Sequence, residues 1–88
     1  MKDRVEEAAD KLRDIRESNY KVIHVETERQ PNEVLFRIFV LLTESGKRGY
    51  ITMNVSNLAA YNQSFPLLDW LHERITKSVS HLIKRINQ

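Results

Sequence analysis

Two neighbouring apolar segments constrain this chain more than anything else in it. Val34 to Thr43, within EVLFRIFVLL, reads as a strand that is apolar on nearly every residue, with Arg37 in its middle. Tyr50 to Ser56 reads as a strand that is apolar on every second residue. Successive side chains of a strand point to opposite faces. Ile51, Met53 and Val55 therefore share one face with Val34, Phe36, Ile38, Val40 and Leu42. The other face carries Leu35, Arg37, Phe39 and Leu41 from one strand and Tyr50, Thr52 and Asn54 from the next. The alternation predicts a sheet with one wholly apolar face and one mixed face.

The apolar face requires helices, and the flanks supply two. Over residues 3–18, Val5, Ala8, Ala9, Leu12 and Ile15 recur at steps of three and four, the spacing of an amphipathic helix. Near the C-terminus Leu68, Leu71, Ile75, Val79, Leu82 and Ile86 advance 18 residues in five steps, the helical period of 3.6. Ser64-Phe65-Pro66 predicts the start of that helix, since serine caps free N–H groups and proline has none to lose in a first turn. A first strand is expected over Tyr20 to Glu28. Gln30-Pro31-Asn32 and the glycine-containing ESGKRG segment are the two reversals. NLAAYNQ, residues 57–63, reads as a helical turn or an irregular link. The expectation is one α+β domain spanning residues 1–88, in the order α-β-β-β-α, with a three-stranded antiparallel sheet covered on one face by both helices.

That order resembles the double-stranded-RNA-binding domain. It is similar also to some small phage proteins that inhibit host nucleases, including certain anti-CRISPR proteins. The resemblance covers most of the chain in topology only. The RNA-binding family places a lysine-rich signature at the start of its last helix. Here that stretch is Phe65-Pro66-Leu67-Leu68-Asp69-Trp70, without lysine, so no site residue is carried across.

Composition narrows the function classes. The chain has no cysteine, which removes thiol chemistry and cysteine-based zinc sites. His24, His72 and His81 are scattered, and none forms the i, i+4 pair of a helical zinc site. Ser78 and Ser80 lack the glycine turn of a nucleophile elbow. The Gly46-Lys47 pair is followed by Arg48 and joins two strands, so it is not a phosphate loop. No catalytic residue, metal or cofactor is expected, and no small-molecule substrate. The apolar run is too short to span a bilayer, and the N-terminus has no apolar stretch of a secretory signal. A cytoplasmic, non-enzymatic protein is expected.

Two surfaces stand out. The mixed sheet face, with Leu35, Arg37, Phe39, Leu41, Tyr50 and Thr52, is the expected protein interface, occupied by a second copy in a homodimer or by the target of a small regulator. The alternative partner is nucleic acid. Residues 1–34 carry seven Lys/Arg and nine Asp/Glu, whereas residues 35–88 carry seven and three. On the last helix Arg74, Lys77, His81, Lys84 and Arg85 fall on one side, with Leu67 and Trp70 near its start. Lys47 and Arg48 form a basic turn. Such cations suit phosphate, although a solvated helix face would carry the same residues.

Overall fold

A computed structural model describes residues 3–86. Helix α1 spans Arg4–Leu12, followed by strands β1 (Tyr20–Arg29), β2 (Glu33–Leu42) and β3 (Arg48–Ser56), a short helix α2 (Asn57–Ala60), and helix α3 (Leu67–Ile86). The three strands form one antiparallel sheet in the order β1-β2-β3. Both long helices lie on one side of it, giving the expected α+β arrangement.

Helix α1 is capped by Asp3, whose side chain accepts from the Glu6 N–H at 2.9 Å. Glu6 and Glu7 in its first turn and Lys11 in its last complement the helix dipole. It buries Val5, Ala8, Ala9 and Leu12. The expected helix over 3–18 is therefore too long. After Leu12 the chain turns, and residues 15–17 run extended along the outside of β1. The Val22 N–H donates to the Ile15 carbonyl at 3.1 Å, and the Glu17 N–H to the Tyr20 carbonyl at 2.8 Å. Ile15 still reaches the core, from extended backbone. Its spacing fits a helix, but pairing with an open strand edge satisfies the backbone and buries the same side chain.

The inner face of the sheet carries Val34, Phe36, Ile38, Val40 and Leu42 from β2 and Ile51, Met53 and Val55 from β3, all buried. Leu71, Ile75 and Val79 of α3 are fully buried in the same cluster, which Leu82, Ile83 and Ile86 extend as partly buried neighbours. Helix α3 begins at Leu67, not at Ser64. The Trp70 N–H bonds the Pro66 carbonyl at 2.9 Å, and the Ser64 N–H instead bonds the Asn62 side chain at 2.9 Å. A residue preceding proline is driven out of the helical region, which delays the start. Leu67 is also reassigned: it is buried in the core and does not belong to the basic side of the helix. The first turn of α3 lies beside α1, in a groove lined by Arg4, Ala8, Leu67 and Leu68, so two adjacent positions are covered there instead of one. Residues 57–60 form α2, capped by the Ser56 hydroxyl, which accepts from the Ala59 N–H at 3.2 Å.

Arg4 ties these parts together. Its guanidinium donates to the carbonyls of Ala60 (3.1 Å), Asn62 and Phe65, fixing the α2–α3 connection to α1. Among the described residues no helix is long and apolar enough to cross a membrane.

Candidate functional site

The face of the sheet opposite the helices is open. On β2 burial alternates along the whole strand, with Leu35, Arg37, Phe39 and Leu41 half-buried between fully buried neighbours. On β3 Tyr50, Thr52 and Asn54 are exposed. Neither α1 nor α3 wraps onto this side, so all six residues expected at a protein interface are brought onto one uncovered surface.

Cross-strand register orders the face into rows. His24, Phe39 and Tyr50 lie side by side, with ring centroids 5.5 Å and 5.0 Å apart and tilts of 45° and 41°. Tyr50 is 53% exposed. On one side of this row stand Lys21, Leu41 and Arg48; on the other, Glu26, Arg37 and Thr52, then Glu28, Leu35 and Asn54. His24 enters the row through a β-bulge. The register shifts between Val22 and His24, which leaves Ile23 as the extra residue, 42% exposed, and turns Val25 inward.

Arg37 points out of the face and meets the carboxylate of Glu28, with Nη2 3.0 Å from Oε1. The second Glu28 oxygen accepts from the Gln30 amide at 3.0 Å. These two hydrogen bonds, that of Gln30 first, hold the Glu28 carboxyl below the usual range, and the same carboxylate raises Arg37. Glu33 accepts from the Asn54 side chain at 2.9 Å. The face is an aromatic and aliphatic centre bordered by paired polar groups, and it presents no pocket chemistry. Among the described residues no group of three or more His, Asp or Glu side chains could hold a metal ion.

The basic residues divide into two groups. Trp70 is half-buried against the core, its ring 5.8 Å from that of Phe65, and the Arg74 guanidinium sits 5.6 Å above its other side. Lys77 pairs with Glu73 at 3.1 Å. The end of α3 lies elsewhere, beside the β2–β3 turn: Ile83 and Ile86 share a groove with Glu44 and Ser45. Lys84 and Arg85 are thus at the same end of the molecule as Lys47 and Arg48, and all four are exposed. Trp70 lies about 20 Å away along the helix, so the structure does not bring it to the Lys47–Arg48 turn. His81 is exposed between the two groups.

Sequence reasoning missed His24, Leu58 and Tyr61. Leu58 on α2 is 89% exposed and Tyr61 is 43% exposed. The polar residue at an inward phase in Val22-Ile23-His24-Val25 was the available sign of a bulge. Nothing in the local pattern marked Leu58. Compared with family models, with curated proteins and with solved structures, the chain matches none. Its resemblance to the double-stranded-RNA-binding domain therefore rests on element order alone.

Proposed function

We propose that this chain is a non-enzymatic protein-binding module, a small regulator that docks on its target through the open face of the sheet. One observation carries the reading: both long helices occupy the same side, leaving Leu35, Phe39, Leu41 and Tyr50 without cover on the other. Large apolar and aromatic side chains ringed by paired polar groups are the make-up of interface centres. Arg37 suits such a face because its stem lies along apolar neighbours while its head stays paired at the surface. The test is Phe39→Glu. Its circular dichroism and melting should match the parent, since Phe39 points away from the helical core, while capture of the target is lost. Unfolding of the variant, or capture undiminished by it, would refute the assignment.

A second reading has its own support. Lys47, Arg48, Lys84 and Arg85 converge at one end of the molecule, a cluster that suits the phosphates of nucleic acid. Retention of single- or double-stranded oligonucleotides should then fall steeply with added salt and weaken in Arg48→Ala and Lys84→Ala. No retention at low salt eliminates it.

A further inference from the structure

The two edges of the sheet are not alike, and the difference points to a second copy of the chain. Which backbone groups face outward follows from the ladder. The Leu42 N–H donates to the Lys47 carbonyl at 2.8 Å and the Asn57 N–H to the Asn32 carbonyl at 3.0 Å. Both pairs continue the β2–β3 register. Hydrogen-bonded pairs alternate in an antiparallel ladder. Gly49, Ile51, Met53 and Val55 therefore bond to β2, while Arg48, Tyr50, Thr52, Asn54 and Ser56 turn their N–H and C=O groups away from the sheet. By the same logic the Gln30 N–H, bonded to the Glu33 carbonyl at 2.9 Å, leaves Tyr20, Val22, Val25, Thr27 and Arg29 outward on β1.

The β1 edge is closed by the chain itself. Glu17 fills the Tyr20 carbonyl, Ile15 takes the Val22 N–H, and the Arg13 guanidinium donates to the Val25 carbonyl at 2.9 Å. The bulge at Ile23 bends the same edge. The β3 edge has no such cover. Among the described residues nothing bonds the outward N–H or C=O of Tyr50, Thr52 or Asn54. Its register is unbroken, and from Gly49 to Ser56 it has no charge and no proline, the usual guards of an edge strand.

We infer that β3 pairs antiparallel with β3 of a second copy, about a two-fold axis at Thr52, so that the two sheets continue as one of six strands. Thr52 is the midpoint of Arg48–Ser56, and it is one of the outward-turned residues. A two-fold axis there sets every outward residue against another: Thr52 against Thr52, Tyr50 against Asn54, Arg48 against Ser56. No like charges meet. On the helix side Ile51 comes opposite Met53, and Gly49 opposite Val55, all apolar. Because both β1 edges are closed, pairing stops at two copies and does not run on into a fibre.

The contact is modest and concentration-dependent. His72 bonds Glu17 at 2.8 Å, and Thr76 bonds Tyr20 at 2.9 Å, which turns that flank of α3 toward β1. The opposite flank, with Arg74, His81 and Arg85, overlooks β3, and these cations of two copies oppose each other. The pairing does not depend on the target-binding reading, but it bears on it. One open face offers roughly 400 Å² from strand spacing and length. Two joined faces reach about 800 Å², the usual share of one partner in a stable complex.

Sedimentation across a concentration series tests this, together with amide exchange. The expected result is a monomer–dimer equilibrium with nothing larger, in which the Tyr50, Thr52 and Asn54 amides slow as concentration rises and those of Thr27 and Arg29 do not. Thr52→Lys, which sets two cations against each other on the axis, and Thr52→Pro, which removes an outward N–H, should each weaken the dimer roughly tenfold or more while leaving the β2–β3 ladder bonds in place. Phe39→Glu should leave the dimer intact, which separates this test from that of target binding. The inference is overturned by a monomer at every concentration, by a dimer whose β3 amides exchange at the monomer rate, by assembly beyond two, or by a dimer unaffected in Thr52→Lys. Slowing of those amides only when a foreign strand-forming peptide is added also overturns it.

Discussion

Gly49 offers a measurement of how α3 is seated. It points to the inner face, and a Cβ there would stand 2.7 Å from Cδ1 of Leu82 and 3.0 Å from Cγ2 of Val40. Val40 is fully buried and β-branched, so it is held in place. Leu82 is only partly buried and has to give way. Overpacking costs about 1–3 kcal/mol, and replacing a strand glycine by alanine returns about 0.5–1 kcal/mol of backbone entropy. Gly49→Ala is therefore destabilising by about 1 kcal/mol, on these two terms. Leu82→Ala alone should cost about 2 kcal/mol, the low end for a leucine truncation because the side chain is not fully buried. In the double variant the new methyl occupies space the leucine has left, so the total should fall short of the sum by about 1 kcal/mol. Urea denaturation with an unchanged slope gives the three values. For a chain this size 1 kcal/mol corresponds to about 4–8 °C in melting temperature. Additivity within about 0.5 kcal/mol would refute the reasoning, because Leu82 would then not be the group for which Gly49 makes room.

Other perturbations probe separate parts of the argument. Ile75→Ala, at a fully buried position, should cost about 2–5 kcal/mol by chemical denaturation, and no loss would mean the wrong face of α3 has been placed inward. Arg4→Ala should cost about 1–3 kcal/mol by leaving carbonyls without donors, and amide exchange should quicken over residues 61–66; unchanged exchange there would discount the tie to Ala60, Asn62 and Phe65. The Asp3 carboxyl is held below its ordinary 3.8, first by the Glu6 N–H it caps and then by Arg29. A lowered folded value contributes stability above the unfolded value and loses it as pH falls through the folded one. Asp3→Asn keeps the cap, so it should melt lower than the parent near neutral pH, with the gap closing as pH drops below 3.8; a gap constant with pH contradicts the charge assignment.

How much was legible in the sequence follows from which physical pressure dominates at each place. The strict alternation of Tyr50 to Ser56 and the 3.6 period of Leu71, Ile75 and Val79 report burial on one face, and burial decided both elements. Ile15 is buried too, but its spacing carried no information about the edge of β1, which captures that backbone and ends α1 early. The bulge at Ile23 was hidden for the same reason: it depends on pairing with Phe39, a residue 15 positions away. Leu67 was misplaced because periodicity describes a single helix and says nothing of α1 lying beside its first turn. The open face could be listed residue by residue from the pattern. That both helices leave it bare, and that only one sheet edge is guarded, are properties of the assembled fold.

Arg37 shows how these levels meet. A central strand bonded on both sides has no spare backbone, so its character is expressed through its two faces. The inner face of β2 is wholly apolar and tolerates no charge. The outer face would, with leucine at position 37, present an unbroken apolar line from Leu35 to Leu41. Arginine interrupts that line, and Glu28 at 3.0 Å and Gln30 behind it hold the guanidinium in one place. An exposed pair of this kind contributes little to folding. Its effect is to separate the single side chain Leu35 from the larger group of Phe39, Leu41, Tyr50 and His24, which keeps the surface from collapsing on any apolar neighbour. A partner must then accommodate a fixed cation between two apolar contacts, and that demand selects among partners more sharply than a continuous apolar strip. The β3 edge works differently, since it offers main-chain bonds to any strand and gains selectivity only through the symmetry about Thr52. The face and the edge therefore divide recognition between them, side chains on the first and backbone on the second.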